Sequence, residues 1–122
     1  MLRKEFRITK ENEFKRIYQK GKFFGNGEYT VRSLPNRSSF SRVAVVILKK
    51  HTKKATKRNL ARRRLQEIVR LNFAKLRPGF DLIITSKRDL AEVEYQNLEK
   101  SLLALLNRGN LLKYEKDRSQ SY

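Results

Sequence analysis

The residues with the clearest chemical character lie in one basic segment, residues 49–64. This segment holds nine Lys or Arg side chains and no acidic one, with Lys57-Arg58-Asn59 at its centre. Lysine and arginine bind phosphate through charge and N–H donors, and a helix N-terminus adds a positive dipole and free backbone amides. A run of charge is most often only a solvated face. Nine cations without a counter-charge at a helix start favour a surface that binds phosphate groups.

Catalytic chemistry has no comparable signal in the sequence. Nucleases that use metal ions need clustered carboxylates, whereas Asp81 and Asp89 flank a predicted strand singly. His51 is the only histidine, and beside Lys49 and Lys50 it suits a phosphate contact better than proton transfer. The chain has no cysteine, which excludes thiolate ligands and disulfides. We therefore predict no catalytic residue and no protein-bound metal site.

The charge of the whole chain indicates a polyanionic partner. Its 122 residues include 30 basic and 12 acidic ones, a formal net charge of +18. Such a chain repels itself unless a polyanion lies nearby, so nucleic acid is the first partner to consider. No apolar run approaches the roughly 20 residues that span a bilayer, and the N-terminus lacks the apolar core of a secretory signal. We expect a cytoplasmic protein without a membrane partner.

Length, turn residues and apolar periodicity predict a single domain over residues 1–112, followed by a polar, flexible tail over residues 113–122. Thr9 is the predicted N-cap of the first helix. The run at residues 42–48 is nearly continuously apolar, which predicts a strand covered on both faces. Residues 23–24 fit a further, earlier strand. The predicted elements are helices at residues 9–20, 52–76 and from 95 to just before Gly109, and strands at residues 29–34, 42–48 and 80–85.

The long central helix has two unlike sides. One side carries the polar residues Asn59, Arg63 and Arg70, and the other carries an apolar stripe that faces a sheet. Arg58 projects along the apolar side, one turn before the stripe becomes continuous, and we expect it to reach over the sheet edge. The order α-β-β-β-α-β-α predicts an α/β sandwich with helices packed on one mixed sheet. The stripe consists of Ala61, Leu65, Ile68, Val69, Phe73 and Leu76.

The spacing of these residues resembles the signature of the bacterial ribonuclease P protein subunit, whose central helix carries an Arg-Asn-Arg motif followed by a Lys/Arg-Arg pair. The resemblance extends over about residues 3–108. In two places the chain departs from it: Leu60 stands where the family has its second Arg, and Ala44, Val46 and Leu48 stand where the family favours Gly and Ser. The positions that carry the resemblance are Arg42-Val43, Lys49-Lys50, Ala55, Lys57-Arg58-Asn59, Arg62-Arg63, Glu67, Arg70 and Gly79-Phe80-Asp81.

The resemblance implies a small protein bound to a large catalytic RNA that removes the 5′ leader of precursor tRNA, with Mg²⁺ held mainly by the RNA. It implies a fold similar to the second domain of ribosomal protein S5, an α+β sandwich with a left-handed crossover through the basic helix. The partners would be the catalytic RNA and precursor tRNA, with no requirement for a protein oligomer. The implied catalytic-RNA surface consists of Lys49, Lys50, Lys53, Lys54, Lys57, Arg58, Asn59, Arg62, Arg63 and Arg70.

The resemblance also implies a groove between the first helix and the sheet that holds the single-stranded leader. Phe14 and Tyr18 match its helical side, and aromatic rings stack on any unpaired base. Four residues apart on a helix, the same two side chains fit equally well as core residues packed on the sheet, so both interpretations stay open. Further candidates for the groove are the strand positions Tyr29, Arg32, Val46 and Leu48.

Two other functions are compatible with the charge and the order of elements. A ribosomal or general RNA-chaperone protein would bind unrelated RNAs with similar affinity and would not prefer precursor over mature tRNA. A stand-alone metal-dependent nuclease would cut RNA without any RNA subunit. The lack of clustered carboxylates in the sequence argues against the nuclease.

Overall fold

The structure, a computed structural model, describes residues 2–90 and 93–113. The predicted order α-β-β-β-α-β-α and the mixed α+β class are confirmed. The part of the predicted tail beyond Lys113 lies outside the described residues. The elements in this part of the chain are α1 (Glu11–Lys20), β1 (Lys22–Gly25), β2 (Tyr29–Pro35), β3 (Arg42–Val46), α2 (Ala55–Asn72), β4 (Phe80–Ser86) and α3 (Tyr95–Arg108), with short 3-10 turns at Lys4–Phe6 and Phe73–Lys75.

The four strands form one mixed sheet in the order β1-β2-β4-β3. The pairs β1–β2 and β2–β4 are antiparallel, whereas β3 and β4 are parallel. Parallel neighbours cannot be joined by a tight turn, so the chain crosses from β3 to β4 through α2. The left-handed sense of this crossover stays a prediction.

The helices divide between the two faces of the sheet because successive side chains of a strand point to opposite sides. Leu82 and Ile84 of β4 pack in the larger core cluster with residues of α2 and α3. Ile83 packs on the other face in a smaller cluster with Ile17 of α1 and Ala44 of β3. A strand covered on both faces must be apolar at consecutive positions, which accounts for the continuous apolar runs in β3 and β4.

Two helix starts differ from the prediction. Lys10 is the residue before α1 and makes no side-chain capping bond, so the assignment of Thr9 as N-cap was wrong. The chain stays extended to this point because Arg7 pairs with Val43 and the Ile8 N–H donates to the Val43 carbonyl. At α2 the helix begins at Ala55 instead of residue 52, since a turn precedes it.

The end of β3 also differs from the prediction. The strand stops at Val46, whose partner Thr85 is the last residue of β4 that pairs with β3. Leu48 therefore lies in the following turn, where its carbonyl accepts from the N–H groups of His51 and Thr52 at 3.1 Å each. At the end of the described chain, the Lys113 N–H donates to the Lys75 carbonyl at 2.7 Å.

A buried ion pair fastens α1 to the sheet. Asp81 of β4 is fully buried, and Arg42 of β3 donates to both of its carboxylate oxygens, from Nε at 3.0 Å and from Nη2 at 2.7 Å. The third guanidinium nitrogen of Arg42 donates to Glu13 of α1 at 2.9 Å. Asn36 adds a bond to Asp81 at 2.8 Å. The hydrogen bond with Asp81, followed by that with Glu13, raises the pKa of the Arg42 guanidinium.

Arg42→Ala is expected to lower the free energy of unfolding by about 3 kcal/mol, because it leaves the buried Asp81 carboxylate without its main partner. Urea unfolding monitored by circular dichroism measures the change. Arg16→Ala is the matched control: its guanidinium is half exposed and lies 3.7 Å from Asp81, so its loss should be under about 1 kcal/mol. Equal losses in the two variants would contradict the assignment of Arg42 as the anchor.

Candidate nucleic-acid interface

The N-terminus of α2 carries positive potential. Lys54 precedes the helix in an extended conformation and makes no side-chain capping bond, and the first turn contains no acidic residue. The first backbone N–H groups of a helix have no acceptor within the helix, and the helix dipole adds to their positive potential. This end of α2 is therefore suited to a phosphate group.

Arg58 organises the turn that leads into α2. Its Nη1 donates to the carbonyls of Thr52 at 3.1 Å and Lys53 at 2.7 Å. Thr52 is itself buried, and its hydroxyl lies 3.3 Å from an Asp89 carboxylate oxygen. The guanidinium thus reaches back along its own chain, not over the sheet edge as predicted. It holds the backbone that presents Lys53 and Lys54.

Most of the residues predicted to bind the catalytic RNA are exposed. Arg62 donates from Nη1 to the Asn59 side-chain oxygen at 2.8 Å. Within the described residues, Arg58, Arg62 and Arg63 have no acidic partner. Lys57, Arg58 and Arg62 are half-buried. The exposed members of the surface are Lys49, Lys50, Lys53, Lys54, Asn59, Arg63 and Arg70.

Two residues of α2 differ from the rest of this surface. Arg70 donates to both oxygens of Glu67, at 3.0 and 2.5 Å, and this contact lowers the pKa of the Glu67 carboxyl. The charge of Arg70 is therefore partly compensated within the protein. Leu60 is 41% exposed and places an apolar side chain among the cations.

Several acidic side chains form ion pairs with arginines of the same chain. Across residues 2–90 and 93–113, none of these pairs involves a lysine that precedes α2. The ion pairs are Arg3–Glu5, Arg16–Asp81, Arg42–Glu13, Arg42–Asp81, Arg70–Glu67 and Arg88–Glu28.

The flank of α1 offers aromatic surface beside the sheet. Phe14 is half-buried and packs against the cluster of Ile17, Ala44 and Ile83, so the core interpretation describes it in part. Tyr18 is 44% exposed and is not a core residue. The Arg32 Cζ atom lies 5.1 Å from the centre of the Tyr18 ring, within range of a cation–π contact.

The structure corrects one residue predicted for the groove. Tyr29 is fully buried in the larger cluster, on the face opposite α1, and its hydroxyl donates to the Leu98 carbonyl of α3 at 3.1 Å. Burial raises the pKa of this hydroxyl. Tyr29 therefore cannot line a groove beside α1. Val46 is half-buried on the α1 face, and Leu48 is half-buried beyond the end of β3.

Sequence reasoning missed two threonines on the α1 face of the sheet. Thr30 pairs with Thr85, and Thr85 pairs with Val46, so the three side chains lie in one row across the sheet. They share the α1 face because Thr85 is two residues from Ile83 and Val46 is two residues from Ala44. The alternation of side chains around Arg32 and Ile83 is visible in the sequence. Only the strand register shows that the two threonines lie side by side on the same face.

No site for a metal ion or a membrane emerges from this part of the chain. Across residues 2–90 and 93–113, no group of three or more histidine or acidic side chains has the arrangement of a metal site. None of the helices within the same ranges has the length and apolar character needed to cross a bilayer.

A small α+β domain with exposed cations at a helix start, and with aromatic side chains on the flank of another helix, has the character of a nucleic-acid-binding protein. The Ribonuclease P family profile matches residues 2–110. The "Ribonuclease P protein component" of Clostridioides difficile (strain 630) is 31% identical over 105 residues, which cover 85% of this chain and 91% of the relative. The chain therefore belongs to the ribonuclease P protein family, whose members are RNA-binding components of a tRNA-processing ribonucleoprotein.

Solved structures of the family have the same fold. The ribonuclease P protein from Thermotoga maritima superposes with a TM-score of 0.77 at 30% identity, covering 84% of this chain and 96% of that protein. The Staphylococcus aureus protein gives a TM-score of 0.80 at 23% identity, with coverage of 88% and 98%. At that identity the second match supports the fold alone.

Arg58→Ala is expected to lower the free energy of unfolding by about 1.5–3 kcal/mol, because it removes charge-assisted bonds to two backbone carbonyls. It should also speed amide hydrogen exchange at His51 and Thr52. Arg63→Ala removes the same charge from the same helix, but its side chain is exposed, so its effect on stability should stay within about 0.5 kcal/mol. Both quantities are measured by urea unfolding and exchange mass spectrometry. If amide hydrogen exchange were unchanged in Arg58→Ala, Arg58 would not organise the turn before α2.

Proposed function

We propose that this chain is the protein subunit that binds the catalytic RNA of ribonuclease P and the 5′ leader of precursor tRNA in the bacterial cytoplasm. In this role it assists the Mg²⁺-dependent removal of the leader, which produces the mature tRNA 5′ end. This role does not require a protein oligomer. The single observation that carries the proposal is the open cationic surface at the start of α2 in a chain of this family.

The basic surface supports binding of the catalytic RNA. Lys49, Lys50, Lys53 and Lys54 are exposed just ahead of an uncapped helix N-terminus, and Arg63 is exposed about two turns into the helix. Phosphate oxygens would meet side-chain cations, backbone N–H groups and the helix dipole at one place. Each phosphate neutralised on duplex RNA steepens the dependence of affinity on salt by about 0.9 log units per log unit. Lys57, Arg58, Asn59, Arg62 and Arg70 complete the proposed surface.

The groove beside α1 supports binding of the leader. Its aromatic wall, Phe14 and Tyr18, suits unpaired bases of any sequence, since stacking does not read base edges. Arg32 supplies a cation at the wall, and the hydroxyls of Thr30 and Thr85 in the floor can bond to sugar or phosphate oxygens. A leader that varies in sequence from one precursor to the next requires this tolerance.

The chemistry of phosphodiester hydrolysis belongs, in this proposal, to the RNA and its Mg²⁺ ions. Mg²⁺ prefers oxygen ligands, chiefly carboxylates. Asp81 is buried and bonded to Arg42 and Asn36, so its carboxylate is not offered to a metal. The protein contributes charge compensation and the positioning of substrate.

Reconstitution tests the proposal as a whole. The chain is combined with a bacterial ribonuclease P RNA at low Mg²⁺, and the rate of precursor tRNA cleavage is compared with that of the RNA alone. We expect stimulation together with tighter binding of precursor than of mature tRNA. Similar affinity for unrelated RNAs without stimulation would favour an RNA chaperone, and cleavage by the protein alone would favour a metal-dependent nuclease.

Two variants should separate the two RNA-binding surfaces. Arg63→Ala is expected to weaken binding of the catalytic RNA and to reduce its salt dependence by about one phosphate contact, without changing the preference for precursor tRNA. Tyr18→Ala removes a half-exposed ring, so it should leave catalytic-RNA binding unchanged and lower the affinity for precursor tRNA by about fivefold or more. Titrations of both RNAs over a range of salt concentrations provide the measurement.

Each variant is the control for the other, because both variants are measured with both RNAs. If both variants weakened both RNAs to the same extent, the two surfaces would not be distinct. The precursor with its leader removed supplies the baseline, because Tyr18→Ala should not change binding of mature tRNA.

A further inference from the structure

An exposed aromatic ring at the edge of the sheet is not explained by the residues discussed so far. Phe23 of β1 is 55% exposed, and β1 is the first strand of the sheet order β1-β2-β4-β3. A single exposed apolar residue is ordinary in a soluble protein. Phe23 differs because its cross-strand partner is Arg32, whose Cζ atom lies 4.7 Å from the centre of its ring.

Arg32 joins two aromatic rings from different elements. Its Cζ atom lies 5.1 Å from the centre of the Tyr18 ring, and its Nη1 donates to the Tyr18 carbonyl at 3.3 Å. The guanidinium is thereby held between α1 and β1. Cation–π contacts at exposed positions are weak, but here the same arginine also has a backbone acceptor. Tyr18, Arg32 and Phe23 form a half-exposed cluster, called here the stacking shelf.

The space beside the shelf is kept open by a glycine. Gly25 lies two residues after Phe23 on the same face of β1 and is paired with Thr30. A Cβ atom at Gly25 would stand 2.9 Å from the Tyr29 carbonyl oxygen and 3.3 Å from the Thr30 methyl carbon. The row of Val46, Thr85 and Thr30 therefore ends at the sheet edge in a residue without a side chain.

The shelf lies at the far end of the sheet from the basic surface. Register places Phe23, Arg32, Ile83 and Ala44 in one row across β1, β2, β4 and β3. Three strand spacings of about 4.8 Å make this row about 14 Å long. The chain continues from β3 directly into the lysines that precede α2, so the β3 end of the row adjoins the proposed catalytic-RNA surface and the β1 end points away from it.

We propose that the stacking shelf binds unpaired bases in the distal part of the leader, farther from the cleavage site than the bases that contact Phe14. This inference rests on the proposed leader groove and extends it to a residue on β1. A ring and a guanidinium plane both stack on nucleobases, and a positively charged surface attracts the backbone that carries them. Lys20 and Lys22, exposed on either side of Gly21, add to that attraction.

Leader length provides the test. The holoenzyme, reconstituted with wild-type or Phe23→Ala protein, is titrated with precursor tRNAs whose leaders are shortened from the 5′ end one nucleotide at a time. The variant should bind long-leader precursors about five- to a hundredfold more weakly, as expected for one lost stacked base. The difference should vanish once the leader is too short to reach β1, and mature tRNA should bind equally well.

Matched variants separate stacking from general loss of apolar surface. Phe23→Trp should restore long-leader binding, whereas Phe23→Leu should behave as Phe23→Ala. Leu71→Ala removes a side chain of equal exposure, 55%, from α2, and should not change the dependence on leader length. Circular dichroism confirms that each variant is folded.

The outcomes distinguish this inference from the proposed function. If wild-type affinity rises with leader length but Phe23→Ala follows the same curve, the shelf inference fails and the leader groove stands. An equal loss for every leader and for mature tRNA also overturns the shelf. If wild-type affinity does not depend on the leader at all, the groove itself is wrong.

Discussion

The buried carboxylate of Asp81 fixes the position of α1, and with it the groove on that face of the sheet. A buried charge without partners is strongly unfavourable, so Asp81 must be met by donors of suitable geometry. Arg42 meets both carboxylate oxygens and also reaches Glu13 of α1. Docking of α1 and compensation of the buried charge are therefore one event, formed by residues from β3, β4 and α1.

This anchor also sets the rotation of α1 about its own axis. Glu13 and Arg16 face the ion pair on one side of the buried Ile17. At 100° per residue, Phe14 and Tyr18 must then lie on the other side of Ile17. The salt bridge on one side of α1 thus determines the direction in which the aromatic side chains on the other side point. This explains why charged and aromatic residues alternate along this short helix.

Charge is distributed so that acidic residues serve internal contacts while the start of α2 stays positive. Arg58 shows how order and charge are combined, because it is held by the carbonyls of Thr52 and Lys53 instead of by a carboxylate. A carbonyl orients the guanidinium without cancelling its charge. In contrast, Arg70 is oriented by Glu67 and loses part of its electrostatic reach. The two arginines on one helix thus differ in what they can offer an RNA.

The sequence predicted the elements wherever local periodicity decides them. The stripe from Ala61 to Val69 and the apolar run of β4 are properties of short windows, and the structure has both. Thr9 was misassigned as a cap because pairing of the N-terminal segment with β3 is a tertiary contact that no window contains. The contacts of Arg58 could not be predicted for a similar reason. Its acceptors are backbone carbonyls, which every residue type has, so they leave no pattern in the sequence.

The sequence also did not reveal which face of the sheet each side chain occupies or how the strands pair. Alternation shows that Tyr29 and Val31 share one side of β2 and that Thr30 and Arg32 share the other, but it does not reveal which side meets α1. The error for Tyr29 came from this ambiguity, since its side points to α3. The contact of Phe23 with Arg32 likewise depends on the pairing of β1 with β2.

The unequal burial of the charges governs how this molecule responds to ionic strength. The Asp81–Arg42 pair is enclosed, where mobile ions screen little, whereas the lysines ahead of α2 stand in water and are screened over about 8 Å at physiological salt. Added salt also relieves the mutual repulsion within a chain whose formal net charge is +18. A rise in salt should therefore weaken the binding of a polyanion while leaving the native state as stable as before or more so.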